Sequence, residues 1–176
     1  MKLIVIDMQK ALLVDELYAK NKLIKNIKNL IDVARENYVE VIYVKHDGGM
    51  ESGMTRGDVG FGIIDELKPM NGEKVFVKEL NSAFSSYSFK RYLRSKNERD
   101  LIIVGLQTEF CIDATIKSAV VEGYDVYIPD CCHSTFDNEY LKAKKICKYY
   151  NEWIWQGNFA EVRTLDEIIK FIKHIY

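Results

Sequence analysis

No charge of one sign dominates this 176-residue chain. The 25 Lys and Arg residues stand against 26 Asp and Glu, for a formal net charge of -1. So even a balance offers no field to gather a polyanion or an anionic bilayer, and neither nucleic acid nor membrane is expected as a partner. No apolar run approaches the roughly 18 residues that suggest a membrane span. No Cys-x-x-Cys pair occurs among Cys111, Cys131, Cys132 and Cys147, and adjacent Cys131 and Cys132 are poorly placed to bond each other. Reduced thiols in a cytoplasmic protein are the expectation. Met1 leads into a strand-like run, so no secretory or transit leader is expected. Internal repeats, low-complexity tracts and linkers are also missing. What remains is 48% hydrophobic and 29% charged. That composition suits one compact domain over residues 1–176, with a full core, rather than two small domains or a disordered chain.

Strand and helix patterns alternate along the chain. Strands are expected at Leu3 to Ile6, Val39 to Val44, Val75 to Val77, Leu101 to Val104, Tyr124 to Ile128 and Phe159 to Arg163. Between them, Lys20 to Asn37 places Leu23, Ile27, Leu30, Ile31 and Ala34 at helical spacing. Further helices are expected at Phe84 to Ser95, Glu109 to Glu122 and Asp137 to Tyr150, with a short one at Ile63 to Leu67. Gly123 stops the third long helix, and Thr164 with Glu167 forms a capping box for a last one. Residues 47–62 carry six glycines and read as a mobile surface loop of functional length. Short apolar strands joined by helices imply a parallel sheet covered on both faces, a three-layer α/β/α domain. Ligands in such sheets bind at the carboxyl ends of the strands.

Three reactive side chains follow strand ends: Asp7, Lys78 and Cys111. Gly105 is read as breaking its strand and Thr108 as capping the next helix, which puts Cys111 in the first turn. There the helix dipole and unpaired N–H groups favour a thiolate. Lys78 would stabilise that charge, and Asp7 would accept the thiol proton and return it to a leaving nitrogen. Such a group suits acyl transfer from an amide through a thioester. The N–H of Cys111 and one from the Leu106-Gln107-Thr108 turn would receive the oxyanion. Taken singly, each residue has an ordinary reading: a buried cysteine is usually a small apolar side chain, and the others could be a cap and a solvated base. Their joint placement favours function.

Three stretches carry a resemblance. Val5-Ile-Asp7-Met-Gln9 is similar to an Asp-x-Gln motif, and Lys78-Glu-Leu-Asn-Ser82-Ala83-Phe84 to Lys-x-x-x-Ser-Ala-Phe. Gly105-Leu-Gln-Thr108-Glu-Phe-Cys111-Ile-Asp-Ala-Thr115 is similar to Gly-x-x-Thr-x-x-Cys-x-x-x-Thr. In this order they resemble the isochorismatase-like cysteine hydrolase superfamily, which includes nicotinamidases and N-carbamoylsarcosine amidase relatives. The resemblance implies a Rossmann-like sheet of six parallel strands in the order 3-2-1-4-5-6. It implies Asp7 as general base and acid, Lys78 as thiolate-stabilising cation and Cys111 as nucleophile. It also implies a cis peptide at Leu106-Gln107 that aims the Gln107 N–H into the oxyanion hole. A homodimer or homotetramer, with partner residues near the pocket, is implied too. Isochorismatases proper lack the cysteine and cleave a vinyl ether, so this chain resembles the amide-cleaving branch, acting on a small-molecule amide.

One departure bears on metal. Nicotinamidases carry Asp-x-His plus a second His beside the triad, whereas here Lys45-His46-Asp47 supplies one His and no second follows before Lys78. Three protein ligands are usual for catalytic zinc, so neither a metal nor another cofactor is expected. His46 is a candidate substrate contact or a hydrogen-bonded structural residue, and Phe61, Phe84 and Phe110 are candidate pocket walls. Cys131-Cys132-His133 is read as structural, because contiguous residues rarely ligate one metal. Trp153 and Trp155 read as core or subunit interface. Rival functions are a thiol redox protein, with Cys131 or Cys132 resolving an oxidised Cys111, and a silent family member that only binds. A receiver-type signalling module is disfavoured, since the first strand ends in a single acidic residue.

Overall fold

The computed structural model describes residues 1–174. Its strands are β1 (Lys2–Ile6), β2 (Glu40–His46), β3 (Lys74–Lys78), β4 (Asp100–Leu106), β5 (Asp125–Pro129), β6 (His133–Ser134) and β7 (Glu161–Arg163). Its α-helices are α1 (Lys20–Glu36), α2 (Tyr87–Arg94), α3 (Asp113–Val121), α4 (Ala143–Tyr149) and α5 (Leu165–Lys173). The sheet runs β3-β2-β1-β4-β5-β7, with every pairing parallel. The sixth strand expected from sequence is β7, so the anticipated order holds. The two-residue β6 is an addition. It pairs Gly105 and Leu106 of β4 with His133 and Ser134, just beyond the stretch of β4 that β5 covers.

Parallel central strands bury both faces, and every residue of β1 is buried. Leu3 and Val5 join α1 and α5 residues in one core layer, while Ile4 and Ile6 join Phe89, Leu93 and Ile116 in the other. Alternation along one strand therefore feeds both layers. Gly105 does not end β4 but lies inside it, opposite Ile6. At its φ of +124° a Cβ would meet the Ile6 carbonyl oxygen at 1.9 Å, so only glycine lets β4 press this close to β1.

Three helical boundaries differ from expectation, and the second helix begins at Tyr87 after a separate 3₁₀ turn at Ala83–Ser85. The fourth helix starts at Ala143, because Asn138 Oδ1 takes the N–H groups of Tyr140 and Leu141 and Asp137 Oδ1 takes that of Ala143. Short polar side chains here bind the backbone in a turn instead of releasing it to a helix. Residues 108–112 form a wide π-type turn before α3, and residues 59–61 and 65–67 are single 3₁₀ turns. The glycine-rich loop is tied down more than its composition suggests. The Lys10 and Ala11 N–H groups bond Gly62 and Gly60 carbonyls, and Asp47 Oδ1 accepts from Thr55 Oγ1.

Candidate active site

Asp7, Lys78 and Cys111 converge at the carboxyl edge of the sheet. Strand order explains this: β1 lies between β2 and β4, and β3 follows β2. His46 and Lys78 are in register at the ends of β2 and β3. Asp7 takes a left-handed φ of 53° immediately after β1, and its N–H bonds the Val44 carbonyl at 2.9 Å. Aspartate tolerates that conformation better than most residues. Lys78 Nζ then lies 2.8 Å from Asp7 Oδ2, 3.0 Å from His46 Nδ1 and 3.2 Å from Cys111 Sγ. Lys78 and Asp7 are each 1% exposed. The ammonium is close to the Asp7 carboxylate but off its hydrogen-bond direction, so neither carboxylate oxygen has a well-directed donor.

Protonation in this cluster runs against the sequence expectation for Cys111. Burial, and then the Asp7 charge, push the thiol up to about 12, despite the opposing pull of Lys78. The helix start does not prevail because the thiol is largely withdrawn from water and faces a carboxylate, and both favour the neutral form. Burial likewise raises the Asp7 carboxyl, opposed by Lys78. Burial, then Lys78, lowers the His46 imidazole. Burial thus favours the neutral form of the thiol, of the carboxyl and of the imidazole, and the Lys78 charge opposes it at the first two. Asn81 Oδ1 stands 3.8 Å from Cys111 Sγ as a further weak acceptor.

The Leu106-Gln107 peptide is cis. The Gln107 N–H meets no backbone carbonyl among the described residues. Thr108 does not cap the turn that holds Cys111. Its fully buried hydroxyl points inward to His133 Nδ1 at 2.9 Å. His133 Nε2 in turn reaches Asn151 Oδ1 at 2.8 Å, and its ring packs edge-on against Trp155. Both ring nitrogens are used, in keeping with a structural role for this segment. Trp155 is fully buried with its indole N–H on Asp113, whereas Trp153 is 70% exposed.

The aromatic candidates separate. Phe61 is buried under Lys45, whose Nζ lies 3.6 Å from the ring centroid. Phe84 packs edge-on against Phe89 and also meets Tyr124 in the core. Phe110, beside Cys111 in sequence, is half exposed. Gln9, the last residue of the Asp-x-Gln stretch, braces this edge. Its buried amide accepts from the His46 N–H at 2.7 Å and donates to the His46 carbonyl at 3.0 Å and the Phe61 carbonyl at 3.3 Å. A buried glutamine one strand-step past Asp7 was the available signal. A cavity of about 470 Å³ opens elsewhere, lined by Tyr18, Lys22, Cys131, Cys147 and Arg163 among others, and includes no member of the Asp7–Lys78–Cys111 cluster.

Among the described residues, Asp7, His46 and Cys111 are the one group of three metal-type side chains whose donor atoms all lie within 4.8 Å of one another. The Lys78 ammonium lies within 3.2 Å of a donor atom of each. A cation already sits among these groups, and a second one would meet its repulsion. No helix among the described residues is long and apolar enough to cross a membrane.

Comparison with known proteins places this edge in context. The Isochorismatase domain model matches residues 2–167. The isochorismatase family protein YrdC of Bacillus subtilis is 27% identical over 97% of this chain and 96% of its own length. The ureidoacrylate amidohydrolase RutB of Yersinia enterocolitica is 26% identical over 92% of this chain and 86% of its own. A crystal structure of an isochorismatase from Pseudomonas putida superposes with a TM-score of 0.89 at 26% identity, covering 94% of this chain and 88% of that one.

Proposed function

The chain belongs to the isochorismatase family of hydrolases, and from that premise we propose that it is a cysteine-dependent, metal-independent amidohydrolase. It cleaves a C–N bond, amide or carbamoyl, of a small molecule. The observation that carries this reading is the Lys78 ammonium set between Asp7 and Cys111 at 2.8 and 3.2 Å. The likeness to RutB, a ureidoacrylate amidohydrolase, supports the substrate class.

In this mechanism Cys111 attacks the substrate carbonyl as Asp7 removes the thiol proton, so charge separates only in the transition state. Lys78 stabilises sulfur as it becomes anionic. The N–H groups of Gln107 and Cys111 receive the carbonyl oxygen as it becomes an oxyanion. Asp7 returns its proton to the nitrogen, and the amine or ammonia departs to leave an acyl thioester. Water then gives a proton to Asp7 and its oxygen to the acyl carbon. The acid leaves, and the proton returns to sulfur. His46, Phe61, Phe84 and Phe110 are candidates for the pocket wall, and a second subunit in a homodimer or homotetramer for its completion.

The test is a panel of ureido, aromatic and aliphatic amides, scored for released ammonia and for an acyl adduct on Cys111 by peptide mass spectrometry. Ammonia release that disappears in Cys111→Ala is the expected outcome. Suppose instead that no amide yields ammonia or adduct, while peroxide links Cys111 to Cys131 or Cys132. The redox reading would then replace this one.

A further inference from the structure

An ammonium has three protons to place; the Lys78 ammonium has Asp7 close but off direction, Cys111 Sγ as one acceptor and an imidazole as the other. We propose that His46 is a positioning residue: its Nδ1 lone pair holds the Lys78 ammonium over Cys111 Sγ and keeps it from collapsing onto Asp7. This rests on the amidohydrolase reading and gives His46 a task other than substrate contact.

The geometry fixes the direction of the bond. An ammonium has no acceptor to offer, so at 3.0 Å from Lys78 Nζ the His46 Nδ1 must be the acceptor. The ring proton of the neutral imidazole then sits on Nε2. The ring cannot drift, because Gln9 clamps both the N–H and the C=O of His46. A neutral acceptor suits the task. It takes up one N–H without cancelling the positive charge that sulfur needs, whereas a carboxylate in this place would compete with Cys111 for that charge. Burial together with the Lys78 charge keeps the imidazole neutral, against the weaker opposite pull of Asp7 and Asp47. Remove the acceptor, and an ammonium 1% exposed keeps Cys111 Sγ as its one well-directed acceptor. Its cheapest relief is to turn further toward Asp7, whose two oxygens lack well-directed donors.

The test measures the rate of Cys111 alkylation by iodoacetamide at pH 8, peptide by peptide, in wild type, His46→Ala, His46→Leu and His46→Asn. The apolar variants should slow alkylation by about tenfold, the loss expected for one hydrogen bond to a charged group. His46→Asn, which keeps an acceptor oxygen, should recover most of that loss. Wild-type rates in both apolar variants overturn the proposal, as does an Asn variant no faster than the apolar ones. So does a raised KM for an amide with kcat and alkylation unchanged, since that marks a substrate contact. If His46→Ala does not fold, the Leu and Asn pair decides alone. Alkylation needs no substrate, so a protein that hydrolyses no amide still reports on His46, and failure of the two readings can be told apart.

Discussion

Two buried lysines sit at opposite ends of the sheet, and their surroundings differ in kind. Lys2 opens β1 at the amino edge, 2% exposed, with Nζ 2.6 Å from Glu40 and 3.4 Å from Glu98. Those carboxylates are 31% and 40% exposed, and Glu40 also takes the Tyr92 hydroxyl. Water shares the charge there, and every partner is content. Lys78 closes β3 at the carboxyl edge, and its carboxylate partner Asp7 is as dry as itself. That carboxylate lacks a well-directed donor, and the next partner is a titratable thiol. Buried polar groups are normally satisfied. The Lys78 cluster is left short of donors next to a thiol, which suits the proposed chemistry, whereas the Lys2 cluster ties strand ends together.

The comparison breaks most sharply at Asp7. Asp7→Asn should lower amide hydrolysis by about 10³-fold, the general acid–base contribution, yet should speed Cys111 alkylation at pH 8. The sign follows from the cause: the Asp7 charge helps raise the thiol to about 12, so its removal lets the thiol ionise more easily. Slower alkylation in this variant would show that Asp7 does not hold the proton on sulfur.

Exchanging each lysine for methionine tests the two edges against each other. Lys78→Met should cost about 3–5 kcal/mol at pH 8 by leaving a buried carboxylate unpaired. Part of that should return at pH 5. Burial already raises the Asp7 carboxyl, and losing Lys78 raises it further. The folded state then holds a proton the unfolded state releases, so stability is greatest below the ordinary carboxylate range and falls as pH rises through the folded value. Lys2→Met should cost about 1 kcal/mol, because Glu40 and Glu98 are partly exposed and can be hydrated. It should leave ammonia release unchanged. Denaturant melts at both pH values, with the amide assay, separate these outcomes. Equal losses of stability at both edges would remove the distinction.

The last contrast concerns the buried histidine His133. Burial lowers His133 to about 4. A depressed value means stability present above the unfolded pKa near 6.5 and lost as pH falls from there toward 4, by up to about 1.4 kcal/mol per pH unit. His133→Gln should flatten that slope in melts between pH 7 and 4, while leaving alkylation of Cys111 unchanged. A slope untouched by the substitution would assign the acid sensitivity to other groups.

Much of this was readable along the chain. The six main strands and the placement of Asp7, Lys78 and Cys111 at strand ends followed from apolar runs and spacing, while the strand order came only from the family resemblance that the three motifs carry. Gly105 was misread as a strand breaker because a sequence does not show that Ile6 will press against its Cα. Thr108 was misread as a cap because its inward partner, His133, lies 25 residues away. The Asp137 helix was overextended because turn-forming bonds from Asn138 and Asp137 compete locally with helix, and periodicity does not register that competition.

The sequence by itself determined a parallel α/β domain, the family, and which three reactive side chains could meet. Residue type, spacing and strand period are local properties, and they were enough for that. Only the tertiary structure decided the protonation state of the cluster and the partners of its lysine. Desolvation and Coulomb terms depend on what stands within a few ångströms, and here that includes His46 and Asp7 from two other strand ends. The same lysine–carboxylate pairing is partly hydrated at one edge of the sheet and dry at the other, and access to water is what separates them.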